Sequence, residues 1–193
     1  MSLFLGPIHY WLYNKIQLQE DFTEFLLKEQ SKLYKSLDDS CGVPTRCALE
    51  EVIDTGNIHG WLQGQVTIVE SRFAMAVAKL LATGNTLDGI KIQACSFGSS
   101  HPISATTASE VFTQLQNLLL DGMPCDHVNQ VTEQNDEQVV WIRTTDIHAS
   151  HWEKAGADAD IYYQLRAELI HGMLTGSGFA FTMKDNRCCI KKA

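Results

Sequence analysis

The period of the hydrophobic pattern changes about midway along the chain. Up to about residue 103, apolar side chains recur at steps of three and four, the spacing of one helix face. Pro7 suits a first helical turn, and a stripe runs from there through Ile8, Trp11 and Leu12. A second stripe uses Leu18, Phe22, Phe25, Leu26, Leu33 and Leu37, until Gly42 and Pro44 in "DDSCGVPT" break it. The longest signal covers 57–83: Ile58, Leu62, Val66, Val69, Phe73, Val77 and Leu80. Asn57 is placed to cap its start and Gly84 to close it. Leu87, Ile90, Ala94 and Phe97 form a shorter stripe, ended by Gly98 and "SSHP". Thr107 and Glu110 then make a capping-box pattern ahead of Val111, Leu115, Leu118 and Leu119. Gly122 and Pro124 stop that helix.

Beyond this point strands enter. "VNQVTEQNDEQVVWIR" holds two valine-rich runs around a polar break and predicts a hairpin. "DIHASHWEKAG" predicts a short helix closed by Gly156. Residues 160–174 predict another, with Ile161, Leu165, Leu169 and Met173 on one side. "GFAFTMKDNRCCIKK" predicts a second hairpin turning at Asp185–Asn186, a dipeptide that tolerates positive φ. "GMLTGSG" follows a helix and precedes a strand, the reverse of a phosphate loop, so it predicts a helix stop and turn. The expected fold is α+β, one compact unit over 1–193. An all-helical half spans 1–103. A helix–hairpin–helix–helix–hairpin half spans 104–193 and carries a four-stranded antiparallel sheet made of the two hairpins.

The hairpins can be registered on paper, because side chains alternate across a strand. In the last one, Lys184 pairs with Arg187 and Met183 with Cys188. Phe179, Phe181, Met183, Cys188 and Ile190 then share a core face, while Cys189 points the other way. In the first, a turn at Asn135–Asp136 pairs Val131 with Val140, Asn129 with Ile142, His127 with Thr144 and Cys125 with Asp146. The polar end of that face would line a pocket.

The chain has 193 residues, enough for a well-filled core, and 45% of them are hydrophobic. A net charge of -8 disfavours a nucleic-acid partner. The apolar start "MSLFLGPIHYWLYNKI" lacks the basic flank and small-residue site of a secretory signal and is too short to span a bilayer. No membrane is expected, and the expected location is cytoplasmic. Phe4, Trp11 and Tyr13 could instead serve a homo-oligomer contact. The six cysteines are then expected to be reduced thiols. Cys41 and Cys47 in "SCGVPTRC" are spaced too widely for a zinc knuckle.

Candidate chemistry centres on "DIHASHW". Cys125, His127, Asp146, His148 and His151 are ligand types that suit Zn or Fe, and His148 and His151 stand three apart. The plainer reading of Asp146 is a helix cap, and of the histidines, exposed polar residues. Cys125 with His127 and His151 is the candidate set for a nucleophilic thiol and its base. Asn129, Trp141, Arg143 and Thr144 are the candidate ligand-binding positions.

From about residue 104 to 193 the layout resembles vinyl-reductase-like ligand-binding domains. The ending "GFAFTMKDNRCCIKK", with Cys188 in its last strand, is similar to that of the L-2-amino-thiazoline-4-carboxylic acid hydrolase-like family. The resemblance implies a small-molecule pocket between sheet and helices and transfers no catalytic residue. Three roles follow as expectations: a small-molecule binder, a hydrolase using a cysteine or metal-bound water, and a structural or regulatory subunit.

Overall fold

The computed structural model describes residues 5–122 and 126–193. Helix α1 (Pro7–Leu26) is followed by α2 (Ser31–Cys41), the single turn α3 (Leu49–Val52), and α4 (Ile58–Ala82). Next come α5 (Leu87–Ser99) and α6 (Ala108–Leu118), then strands β1 (Asn129–Gln134) and β2 (Gln138–Arg143). Helices α7 (Ala149–Ala155) and α8 (Asp160–Met173) lead to β3 (Phe179–Lys184) and β4 (Arg187–Lys192). The four strands form one antiparallel sheet in the order β1-β2-β4-β3. The α+β class and the sheet of two hairpins are as the pattern predicts. No helix among the described residues is long and apolar enough to cross a membrane.

Local chemistry places the helix ends. Pro7 opens α1, and His9 Nδ1 accepts a hydrogen bond from the Gly6 amide at 2.9 Å. The two N-terminal stripes partition differently than expected: α1 takes everything through Leu26, and the chain turns before Leu33 starts a new face on α2. Asn57 Oδ1 caps α4 by accepting from the Gly60 amide at 3.1 Å. Helix α4 is 25 residues long, about 37 Å, and packs against α1, α2 and α7. Thr107 and Glu110 form the expected capping box on α6.

Helices α5 and α8 cross in close contact through two glycines. A Cβ on Gly98 would fall 2.1 Å from the Leu169 carbonyl oxygen, and one on Gly172 2.0 Å from that of Cys95. Each glycine lies one residue before the end of its helix and removes a side chain so that two backbones can meet. The stop after α8 belongs to Gly176 and Gly178, at φ 76° and 80°.

The last hairpin has the predicted register, with Lys184 opposite Arg187 and Met183 opposite Cys188. Phe179, Phe181, Cys188 and Ile190 are buried, and Asp185 takes the positive φ of the turn. The first hairpin is shifted. Val131 pairs with Trp141 and Asn129 with Arg143, while Glu133 pairs with Val140 across a bulge. Its last pair is Gln134 with Val139, so four residues lie between the paired positions rather than two. Asn135 Oδ1 accepts from the amides of Glu137 and Gln138, each at 2.9 Å. That loop and the extra residue at Thr132 move the register, and a shift of one turns a strand's faces over. Asn129 thus shares its face with Trp141 and Arg143, not with Ile142. Val139 and Trp141 join the core with β3 and β4, and Trp141 packs on Phe112 of α6 with ring centroids 4.9 Å apart.

Candidate functional site

Five charged side chains meet where α1, α4, α7, α8 and the loop after α6 converge. Lys15 lies on the buried side of α1, four residues after Trp11 and three before Leu18; it is only 1% exposed. Its ammonium stands 3.7 Å from the centroid of the Trp11 ring. Glu70 projects from the buried side of α4. Asp121 follows α6, and Arg166 extends from α8.

Asp146 sets up the remaining member. Its Oδ1 accepts from the amides of His148 and Ala149, each at 3.0 Å. It is the helix cap of the plainer reading. Capping the first turn of α7 turns His148 inward. There Nδ1 lies 3.0 Å from Glu70 Oε2, Nε2 lies 3.6 Å from Asp121 Oδ1, and the ring stacks on Tyr162 at 3.9 Å. The first contact is a hydrogen bond; the second is an ion pair too long to be one.

The electrostatics follow from this geometry. Burial alone would push the His148 imidazolium toward neutrality, but Glu70 and Asp121 outweigh it and raise its pKa to about 9. Burial likewise works against the Asp121 carboxylate. Arg166, His148 and Lys15 overcome it and hold its pKa at about 2. Arg166 pairs with Asp121 through Nη2 and donates from Nη1 to the Tyr162 hydroxyl at 3.1 Å. Asn129 Nδ2 donates to Asp121 at 3.0 Å. Lys15 goes the other way: burial, aided by Arg166 and opposed by Asp121, lowers its pKa to about 8.

Three concave spaces open onto this group. A cleft of about 180 Å³ is lined by Trp11, Lys15, Asp121, His127, Val128 and Asn129. It has room for about six waters or a small organic molecule. An apolar cavity among Phe22, Phe73, Phe97 and Leu169 ends at Lys15 and Arg166. A crevice between sheet and α8 is bounded by Asp121, Asn129, Trp141, Arg143, Tyr163 and Arg166. The Arg143 guanidinium carbon lies over Tyr163, 3.4 Å from the ring centroid.

The candidate positions from the sequence are thus redistributed. Asn129, Trp141 and Arg143 come together at the crevice. Thr144 instead fastens the strand start, donating from Oγ1 to the His127 carbonyl at 2.7 Å. His127, at φ 48°, lines the cleft, while His151 is engaged by Ser71 Oγ at 2.9 Å. Cys125 lies outside the described residues. The Zn or Fe site of Cys125, His127, Asp146, His148 and His151 does not assemble: Asp146 caps a helix, and His148 and His151 face different partners on α4. Among the described residues no group of three or more His, Cys, Asp or Glu side chains is placed to hold a metal ion. The catalytic grouping of His127 with His151 rested on the same displaced register. Trp11 and Tyr13, the oligomer candidates, are used within the chain. Trp11 donates to Asn117 Oδ1 at 2.9 Å and Tyr13 to the Cys47 carbonyl at 2.7 Å. Phe4 is outside the described residues.

Sequence reasoning missed Lys15, Glu70, Asp121 and Arg166. The first two carried a usable signal, since each interrupts the buried stripe of a long helix. Compared with protein-family models, curated proteins and solved structures, the chain matches none, so its functional reading rests on the chemistry of this site.

Proposed function

We propose that the protein binds a small carboxylate-bearing molecule in the cleft beside Lys15. The observation that carries this reading is the charge balance around it. Lys15, Arg166 and His148 are three cations facing two inward carboxylates, Asp121 and Glu70, and the third carboxylate near His148, Asp146, is exposed at the start of α7. Arg166 and His148 are committed to Asp121 and Glu70, whereas Lys15 faces both the cleft and the apolar cavity. A buried surplus of positive charge is costly unless an anion answers it. An incoming carboxylate would do so, with His127 and Asn129 at the same cleft able to orient it by hydrogen bonds. A ligand bound only by the folded chain raises its melting temperature, by about 2.7 kcal/mol of added stability at a hundredfold excess over Kd. Screening small mono- and dicarboxylates by melting temperature therefore tests the proposal. It expects a saturable rise that Lys15→Gln abolishes. A panel that leaves the melting temperature unmoved would count against it.

A further inference from the structure

We infer that Lys15 is an imine-forming residue, so that the molecule held in the cleft is an oxo acid whose carbonyl carbon bonds to Nζ. This deepens the proposed function and rests on it. The surroundings favour the chemistry at each stage. An amine nucleophile must be deprotonated to attack, and burial beside a second cation, Arg166, favours the neutral amine. Among the described residues Lys15 is also the one that lines both the cleft and the apolar cavity, so a ligand with a polar head and an apolar tail could meet it from either space. Asp121, at the same cleft and electrostatically coupled to Lys15, is held ionised. It can stabilise the positive charge that appears on the imine nitrogen.

The step balances without an external oxidant or reductant. The neutral Nζ lone pair attacks the carbonyl carbon, and the C=O π pair moves to oxygen, which takes a proton. The resulting carbinolamine loses that oxygen as water while the C=N bond forms. Protons exchange with water in the cleft. Asp121 remains a counter-charge throughout, because so weak a base does not accept the proton.

The test is to incubate the intact chain with glyoxylate at about pH 8, with sodium cyanoborohydride as the trapping reductant. Hydride delivered to the imine carbon leaves a secondary amine that peptide mass mapping can locate. The expected result is one adduct per chain, on Lys15, formed at least about tenfold faster than on exposed lysines such as Lys154. Lys15→Arg should lose it and Lys154→Arg should keep it. Labelling spread evenly over the lysines, or absent from Lys15 in the wild-type chain, overturns the inference whether or not the variants fold. Glycolate, the hydroxy acid that lacks the carbonyl, separates the two proposals. If glyoxylate and glycolate both raise the melting temperature but no Lys15 adduct forms, the imine is refuted and carboxylate binding survives. If neither acid shifts the melting temperature and no adduct forms, both fail.

Discussion

Arg72 and Arg166 are each drawn into the protein by a carboxylate, yet the groups around them are built differently. Arg72 is fully buried. Its Nε donates to both Glu20 oxygens at 3.0 and 3.1 Å, and its Nη1 to Asp38 at 2.7 Å and the Gly42 carbonyl at 3.0 Å. The guanidinium also faces the Tyr34 ring at 4.9 Å, and the Tyr34 hydroxyl lies 2.9 Å from Glu20 Oε1. This group clamps α1, α2 and α4, and neither Arg72 nor Glu20 lines any of the three spaces described above. The Arg166 group has the same vocabulary but ends at a cleft, and it includes Lys15, whose charge the protein answers less completely. Buried charges that close on one another read as a fastening. Buried charges arranged around open space, with a cation in excess, read as a site.

The sharpest way to break this comparison is to remove each arginine. Arg72→Ala would strand the Glu20 carboxylate in a site with no exposure, at a cost of roughly 3–5 kcal/mol. Arg166→Ala should cost less, about 2 kcal/mol, because Asp121 keeps His148, Lys15 and Asn129 and adjoins the cleft. Urea unfolding of the two variants measures the difference. Equal losses would mean that both groups are structural.

The pH dependence of stability sharpens the contrast next. His148 titrates near 9 in the folded chain against an ordinary value of 6.5. Its stabilising contribution is therefore complete below about pH 6.5 and is lost as pH rises through about 9. The loss should be on the order of 2–3 kcal/mol, a fall of about 5–10 °C in melting temperature. His148→Gln should remove that part of the slope. A wild-type curve flat between these pH values would show that the imidazole is not held charged.

Asp146→Ala addresses how the site is positioned. It deletes the acceptor of two amides at the start of α7 and should cost about 1 kcal/mol. If Asp146 serves to aim His148, the His148 slope should shrink along with the stability. A variant that loses stability but keeps the full slope would make the cap a local matter only.

Much of this fold is legible in the sequence, and the exceptions have physical causes. The Asn57 and Thr107 caps, the last hairpin and the order of elements all follow from local chemistry, which the local sequence contains. The first hairpin was misplaced because the Asn135 side chain closes a four-residue loop, between Gln134 and Val139, where the pattern offers a two-residue turn. Strand register amplifies that small difference into a change of face. Gly98 and Gly172 also serve the contact between α5 and α8, a role that a glycine near a helix end does not show until its neighbour is known. The site was hidden for a related reason. Its members come from positions 15, 70, 121, 148 and 166, and only tertiary packing unites them. What was visible is that Lys15, Glu20, Glu70 and Arg72 each sit on the buried side of a long helix. A charge in that position must find a partner across the core.

The smallest effect expected is also the most discriminating. Lys15→Met keeps much of the side-chain volume and removes the charge. In the folded chain Lys15 titrates at about 8 against an ordinary value of 10.5, so the ammonium is disfavoured by folding. The unfolded chain binds the extra proton between those values, and wild-type stability gains from this group as pH rises from about 8 to 10.5. Below pH 8 the charged lysine weakens the fold, so Lys15→Met should be more stable, by about 1 kcal/mol once the lost contact with the Trp11 ring is set against it. That advantage should vanish by about pH 10.5. Arg72→Met offers the paired measurement, and it should destabilise at every pH because Glu20 loses its main partner. A cation whose removal stabilises the empty protein is one the fold keeps for something other than stability. If Lys15→Met proved destabilising at neutral pH, Lys15 would belong with Arg72 as a fastening, and the distinction between the two groups would fall.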